Sequence, residues 1–174
     1  MSSAMEQLYQ QVILDHAKFP HGRGLPEGVG AVGVAAADHG TCAATSHQVN
    51  PTCGDEVTLH VDVDVDTSGG TPVVRGVAWE GQGCSISQAS TSVLHDLVVG
   101  QDLATVDRLA ASFRTMLQSQ GAGLADEAEE EALGDAVAFA GVSRYAARVK
   151  CALLGWVALD DALILSGART TEDA

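Results

Sequence analysis

The 174-residue sequence has few aromatic residues and little positive charge. Phe, Trp and Tyr make up 4% of the chain, so Val, Leu, Ala and Ile have to fill the core of a sequence that is 46% hydrophobic. Nine Lys and Arg residues stand against 23 Asp and Glu residues, which gives a formal net charge of −14 and a pI near 4.5. Such a chain repels the phosphates of nucleic acid and anionic lipid, so neither nucleic acid nor a membrane is an expected partner.

The sequence also lacks a long hydrophobic run. The longest useful one, residues 151–159, ends at Asp160 and Asp161, far short of the roughly 20 residues that a membrane-spanning helix needs. The first residues lack the positively charged region and the apolar stretch of a secretory signal. We therefore expect a cytoplasmic protein.

The length predicts one domain over residues 1–174, because about 100–200 residues is the usual size of a single hydrophobic core. We expect that core to extend from about residue 5 to 165. Residues 25–45 are rich in Gly and Ala and show no clear period, which predicts a loop or an insertion. Residues 166–174 are expected to form a flexible tail.

Hydrophobic periodicity predicts strands in the middle of the chain and helices after them. Residues 56–66 alternate between apolar and polar side chains, which predicts a strand whose polar face, including His60, meets solvent. The turn at 67–72 leads to a second strand at 73–80, which predicts an antiparallel hairpin. Segment 45–50 is expected to add a third strand. Apolar residues at helical spacing predict helices at about 5–18, 86–99, 103–117 and 143–165. The order indicates an α+β domain, a small antiparallel sheet of about three strands with helices packed on one face.

The sequence lacks the paired CxxC spacing of zinc fingers, but it has four cysteines. Cys53 lies two positions before Asp55 in the turn-like segment NPTCGDE, and Cys84 lies in GQGCSIS, where a strand gives way to a helix. The positive end of that helix dipole favours the Cys84 thiolate. With Cys151 from the last predicted helix, these groups offer three sulfurs and one oxygen, a set that four-coordinate Zn²⁺ accepts. From the residues alone, a metal site and buried structural cysteines both remain open.

Two arginines accompany Cys151 on its predicted helix. At 100° per residue, Arg144, Arg148 and Cys151 fall within an arc of about 60°. Three thiolates and a carboxylate around Zn²⁺ would carry a net charge of about −2, which a nearby guanidinium would partly offset. The fourth cysteine, Cys42, lies in the Gly- and Ala-rich stretch outside these motifs, and we expect it to be incidental.

The segments NPTCGD, GQGCSIS and ARVKC resemble the three signature segments of the NifU-N/IscU/SufU family of iron–sulfur cluster assembly proteins. They hold Cys53 with Asp55, then Cys84, then Cys151, in that order. The segment LYQQVILDHAKFPHGRG is similar to the opening helix of that family. The resemblance extends from about residue 8 to 165 and implies a single SufU/IscU-like domain.

Within that family, the SufU branch is the better match. The segment between Cys84 and Cys151 is longer than in the IscU scaffold branch. Lys150 stands directly before the third cysteine, where the scaffold branch has a metal-binding histidine. The absence of that histidine favours the zinc-bound, sulfur-accepting type.

The resemblance implies a function and a role for each site residue. Cys53 would accept persulfide sulfur from a pyridoxal-phosphate cysteine desulfurase of the SufS type, as a sulfurtransferase partner rather than a stand-alone enzyme. Arg148 would steady the displaced thiolate, and a downstream scaffold such as SufBCD would receive the sulfur. A scaffold that assembles Fe or an iron–sulfur cluster on the same cysteines is the alternative, and a purely structural zinc domain is a further one. The implied Zn²⁺ ligands are Cys53, Asp55, Cys84 and Cys151.

Overall fold

The structure, a computed structural model, describes residues 3–29, 32–34, 40–65 and 69–169 and has an α+β architecture. Its strands are β1 (Gly33–Val34), β2 (Thr41–Asn50), β3 (Asp55–Asp64) and β4 (Val73–Gln82). Its α-helices are α1 (Ser3–Lys18), α2 (Ser85–Val98), α3 (Leu103–Gln118), α4 (Glu127–Leu133) and α5 (Ala146–Leu165), with a 3₁₀-helical segment at Gly134–Arg144. The strands form one antiparallel sheet in the order β1-β2-β3-β4, which confirms the predicted fold class and adds β1 to the expected strands.

Strand β3 is the centre of the sheet, and its alternating pattern works as predicted on the core face. The apolar side chains of that face are at most 3% exposed: Val57, Leu59, Val61 and Val63. The opposite face differs from the prediction at His60, which was expected to face solvent but is only 3% exposed. Its Nδ1 lies 2.9 Å from the hydroxyl of Thr45 on β2, so the polar ring is satisfied inside the protein.

Helices α5 and α2 cover the sheet, and α1 packs on α2. A small aromatic cluster joins α3 to α5, because the ring of Phe113 stacks on Trp156 with centroids 4.8 Å apart. Phe139, from the 3₁₀ segment, meets Phe113 edge to face at 5.8 Å. Such pairs contribute about 0.5–1.5 kcal/mol beyond their burial. Three of the seven aromatic residues of the chain therefore pack together within the helical layer.

The loop after α1 is fixed to the edge of β4. The backbone N–H of Gly24 donates to the carbonyl of Trp79, and the N–H of Trp79 donates to the carbonyl of Gly22. Gly22 has φ of +70°, and a Cβ there would lie 2.2 Å from a ring atom of His95. Only glycine adopts this φ without strain and also leaves room for the His95 ring, so Gly22 allows the loop after α1 to pair with the edge of β4.

Two parts of the chain differ from the predicted secondary structure. The expected loop or insertion at 25–45 contains β1 and the first five residues of β2. Residues 43–46 are all buried, so β2 is covered on both faces and shows no alternation that periodicity could detect. The last helix begins at Ala146 rather than near residue 143, because Tyr145 is extended, with φ of −123° and ψ of 97°.

The end of the chain is partly packed rather than free. Arg169, inside the predicted tail, is 9% exposed and forms ion pairs with Asp107 on α3 and Asp160 on α5. The rest of that tail, residues 170–174, lies outside the described residues. That residues 1–174 form one domain stays a prediction. Within the part of the chain that the structure describes, no helix has both the length and the apolar character needed to cross a membrane.

Candidate metal centre

The turn between β2 and β3 presents Cys53 to solvent. The side-chain Oδ1 of Asn50 accepts a hydrogen bond from the N–H of Thr52 at 3.1 Å, and the Asn50 carbonyl accepts one from the N–H of Gly54 at 2.9 Å. Gly54 has φ of +73°, a conformation that glycine adopts without strain. The turn is thus held by the side chain and the carbonyl of Asn50 and leaves the Cys53 side chain exposed.

Asp55, the first residue of β3, is 2% exposed and reaches the start of α2. Its Oδ1 accepts the backbone N–H of Cys84 at 3.0 Å, and its Oδ2 lies 3.5 Å from the Cys84 sulfur. A Cβ on Gly83 would approach Asp55 Oδ1 to 2.6 Å, so the close contact depends on glycine there. The carboxylate therefore acts as an anion at a helix N-terminus, where free N–H groups and the helix dipole stabilise it.

Cys151 lies below the turn on α5 and is 1% exposed. Its sulfur is 3.1 Å from the sulfur of Cys53, 3.8 Å from Nδ2 of Asn50 and 3.5 Å from the carbonyl oxygen of Ala147. A buried thiol and an exposed thiol thus meet across 98 positions of sequence.

Hydrogen bonding and burial shift the pKa values of the two buried groups in opposite directions. Burial works to raise the pKa of Asp55, but hydrogen bonds from the thiols of Cys151 and Cys53, and from the backbone N–H and thiol of Cys84, hold it below its ordinary value. Burial raises the pKa of Cys151 far above its ordinary value, and the Cys53 thiol and the negative charges nearby add to this. Without an ion, the site therefore holds a carboxylate beside a protonated Cys151 thiol.

The donor atoms suit a thiolate-preferring metal ion. Ligand atoms of Cys53, Asp55 and Cys151 all lie within 4.8 Å of one another, and Cys84 joins them through its contact with Asp55. Tetrahedral Zn²⁺ with bonds of about 2.3 Å separates two sulfurs by about 3.8 Å. The observed 3.1 Å requires the Cys53 sulfur to move by about 0.7 Å, and this residue is on the exposed turn. The residues present therefore fit such an ion.

The two arginines that were predicted to share a helix face with Cys151 lie on different elements. Arg148 is exposed on α5 and lines a groove of about 870 Å³ that Cys84 also borders. Within the described ranges, no hydrogen bond or ion pair joins Arg148 to Cys53. Arg144 borders the same groove from the 3₁₀ segment, so it does not share a helix with Cys151 as the periodicity predicted.

Sequence reasoning missed two polar residues of the site. Asn50 shapes the turn and contacts the Cys151 thiol, and its only signal was its place at the start of NPTCGDE. The hydroxyl of Ser87 lies 3.9 Å from the Cys84 sulfur, with no sequence signal beyond its position in the first turn of α2. Cys42 is half-buried on β2 beside the core and is not part of this group.

The fold and the site together define an α+β domain with a candidate metal centre of cysteine thiols and one buried carboxylate. The chain is a member of the NifU-like N-terminal domain family, whose sequence profile matches residues 8–152. The match confirms the resemblance that the three cysteine motifs indicated.

Relatives within that family carry two different functional names. The chain is 35% identical to the iron–sulfur cluster assembly scaffold protein IscU of Streptococcus pyogenes serotype M1, over 92% of this chain and 86% of that protein. It is also 35% identical to the zinc-dependent sulfurtransferase SufU of Bacillus subtilis strain 168, over 90% of this chain and 89% of that protein. A crystal structure of a candidate scaffold protein for the SUF system from Fervidobacterium islandicum AW-1 is similar with a TM-score of 0.64 at 32% identity, covering 93% and 99% of the two chains.

Proposed function

We propose that this protein is a zinc-dependent sulfur acceptor that takes persulfide sulfur from a SufS-type cysteine desulfurase for iron–sulfur cluster assembly. The observation that carries the proposal is the unequal exposure of the site. Cys53 is exposed on a turn, while Asp55 and Cys151 are at most 2% exposed. A group of this kind can offer one sulfur to a partner protein while the others stay in place. The similarity to the B. subtilis sulfurtransferase supports the same choice.

The proposed Zn²⁺ ligands are Cys53, Asp55, Cys84 and Cys151. Their donor set of three sulfurs and one carboxylate oxygen matches what Zn²⁺ binds in proteins. When bound, the ion supplies positive charge that keeps the coordinating thiols deprotonated. This matters most for Cys151, because burial makes its thiolate costly in the metal-free chain.

The sulfur transfer is a thiol–persulfide exchange at Cys53. The Cys53 thiolate attacks the terminal sulfur of the desulfurase persulfide, and a new S–S bond forms on Cys53 as the partner's S–S bond breaks. The desulfurase cysteine leaves as a thiolate with the bonding electron pair, so no external oxidant or reductant is needed. The product is a Cys53 persulfide. Its outer sulfur then passes to a downstream assembly scaffold such as SufBCD, and Cys53 leaves as a thiolate.

Arg148 and Asp55 have distinct proposed roles in this step. Asp55 stays beside Cys84 through its bond to the backbone N–H and keeps the site assembled while Cys53 reacts. Arg148 is exposed and lines the groove next to Cys84, so it is free to approach the negative charge of a thiolate as the partner docks. In this reading Arg148 is a positioning residue.

A cluster scaffold is the second candidate, because relatives at 35% and 28% identity are named IscU scaffold proteins. The same three thiols can bind Fe or a cluster. Lys150, directly before Cys151, distinguishes the sulfur acceptor from the scaffold. By the family resemblance, scaffold proteins have a metal-binding histidine at this position, where this chain has a lysine.

One experiment separates these functions. The zinc content of the purified protein is measured, followed by the turnover of a SufS-type desulfurase on cysteine with and without the protein. We expect about one zinc per chain, faster turnover with wild type, and no gain with Cys53→Ala. Cys42→Ala, which removes a thiol outside the site, serves as the matched control and is expected to act like wild type. Zinc-loaded wild type that leaves turnover unchanged contradicts the sulfur-acceptor proposal, and a stable cluster formed on the protein during sulfide supply favours the scaffold.

A further inference from the structure

A second group of metal-binding side chains lies at the opposite end of α2 from Cys84. His16 is in the last turn of α1, His21 is in the loop that follows, and Asp96 is on α2. One ring nitrogen of each histidine and a carboxylate oxygen of Asp96 lie within 4.8 Å of one another. Asp96 follows Cys84 by 12 positions, which is about 18 Å of helix at 1.5 Å per residue. This group is therefore separate from the thiol site.

The contacts of the two histidines resemble those of metal ligands. His21 Nδ1 lies 2.6 Å from Asp96 Oδ2. His16 is 7% exposed, and its two ring nitrogens lie 2.8 Å from the hydroxyl of Ser92 and 3.4 Å from Oδ2 of Asp135. Whichever ring nitrogen of His16 binds an ion, the other ring nitrogen keeps its hydrogen-bonding partner. Such partners orient the ring in most histidine metal sites.

One buried serine positions both histidines. The Ser92 hydroxyl, which is 0% exposed, contacts the His16 ring and also accepts the backbone N–H of His21 at 2.8 Å. The two imidazole rings meet edge to face with centroids 5.0 Å apart. Gly22 then fixes the loop to β4 through its bond with Trp79, so the cluster is built on a rigid framework.

A simple ion pair between His21 and Asp96 does not account for the whole arrangement. The second imidazole, His16, lies beside the pair with ring centroids 5.0 Å apart, and it adds the carboxylate of Asp135 to the group. The chain carries a formal charge of −14, which attracts cations over long range. Two imidazoles and nearby carboxylates within a strongly acidic protein are groups that attract and bind a cation.

We propose that His16, His21 and Asp96 form a second metal site, which takes a divalent first-row transition cation such as Zn²⁺ or Fe²⁺. Imidazole nitrogens with one carboxylate oxygen suit these ions, whereas Ca²⁺ and Mg²⁺ prefer oxygen ligands alone. The three ligands come from α1, the following loop and α2, so a bound ion joins these elements and stabilises the folded state. The site is independent of sulfur transfer at the thiols.

Cobalt titration of the zinc-loaded protein tests this proposal directly. The thiol site is first filled with one equivalent of Zn²⁺, and Co²⁺ is then added while the absorption spectrum is recorded. The expected result is uptake of one further equivalent with weak visible bands and without the near-ultraviolet thiolate-to-cobalt band that cysteine ligands give. Calorimetric titration with Zn²⁺ and with Fe²⁺ then identifies the preferred ion, and the unfolding temperature should rise with its concentration.

Substitutions at the two exposed ligands locate the second ion. His21→Gln and Asp96→Asn should each weaken the second binding event by more than about tenfold, since loss of even an outer-shell partner costs 10–100-fold. His47→Gln is the matched control, because His47 is a surface histidine near a single carboxylate, with Nε2 3.8 Å from Glu56. The affinity of the His47→Gln variant for the second ion should equal that of wild type.

Three results would overturn the second site. The first is that zinc-loaded wild type takes up no further Co²⁺, a measurement that depends on no variant. The second is a thiolate band from the second equivalent, which would place that ion on cysteine. The third is that His21→Gln and Asp96→Asn keep wild-type affinity, or that His47→Gln loses as much affinity as they do.

Discussion

Replacing Asp55 by Asn separates two roles of this carboxylate, as cap of α2 and as proposed metal ligand. Asn keeps the shape of the side chain and an acceptor oxygen for the N–H of Cys84, but it removes the charge. Charge-assisted hydrogen bonds contribute about 1.5–3 kcal/mol and neutral ones about 0.5–1.5 kcal/mol. The helix dipole adds about 0.3–1 kcal/mol for an anion at this end. Because burial opposes the carboxylate, we expect the metal-free variant to lose about 1–2 kcal/mol of unfolding free energy at neutral pH.

The loss is measured by urea or thermal unfolding in the presence of a chelator. For a chain of this size, 1 kcal/mol corresponds to about 2–4 °C in unfolding temperature, so a decrease of about 2–8 °C is expected. Asp102→Asn is the matched control, because Asp102 caps α3 by accepting the N–H of Thr105 at 2.8 Å. Both variants should lose stability, but only Asp55→Asn should also weaken zinc binding, by at least about tenfold.

The stability that Asp55 contributes should also depend on pH. Its folded-state pKa lies below its ordinary value of 3.8, so its contribution is fully present above that value. The contribution disappears as the pH falls through the lower, folded-state pKa. The difference in stability between wild type and Asp55→Asn should therefore be constant above about pH 5 and shrink below about pH 4. Equal stability at pH 7, or zinc affinity within about twofold of wild type, would refute this account of Asp55.

Two further predictions concern the exposed thiol and the end of the chain. In the metal-free protein at pH 8, iodoacetamide should modify Cys53 on the order of 100-fold faster than Cys151, because Cys151 is buried and its pKa is raised. Peptide mass spectrometry gives both rates. Similar rates for the two cysteines would contradict the buried position of Cys151. Arg169→Ala should cost about 1–3 kcal/mol in urea unfolding, because the buried Arg169 side chain forms ion pairs with Asp107 on α3 and Asp160 on α5 and the substitution removes both. Arg114→Ala, on the exposed face of α3, should change stability by less than about 0.5 kcal/mol. An equal effect of the two substitutions would show that the ion pairs of Arg169 add no stability.

The parts of the fold that were predictable from sequence are those in which one face is buried and the other is not. Strand β3 alternates so regularly that its core face could be read directly, and the amphipathic pattern of α3 was equally clear. Strand β2 was predicted over residues 45–50, but its first part was assigned to a loop, because residues 43–46 are buried on both faces and are small. His60 was assigned to solvent by the same alternation rule, and its burial depends on Thr45, a partner 15 positions away.

The candidate site was predictable as a set of residues but not as a geometry. The sequence motifs identified Cys53, Asp55, Cys84 and Cys151. The structure places ligand atoms of Cys53, Asp55 and Cys151 within 4.8 Å of one another, and the Cys84 sulfur 3.5 Å from Asp55. The bond between Asp55 and the Cys84 N–H joins residues 29 positions apart, and no local pattern encodes it. The placement of Arg148 beside the groove, rather than on the Cys53 sulfur, depends in the same way on how α5 meets the 3₁₀ segment.

The short spacing between Cys53 and Asp55 has a topological consequence. An ion held by the proposed ligands would act as a non-covalent cross-link that closes a chain segment of 98 residues between Cys53 and Cys151. If Cys53 leaves to take up sulfur, Asp55 still closes a segment of 96 residues. The difference in loop-closure free energy is on the order of 0.02 kcal/mol, because it scales with the logarithm of loop length. The reactive cysteine can therefore leave the ion without reopening the loop, whereas release of Cys151 would open it.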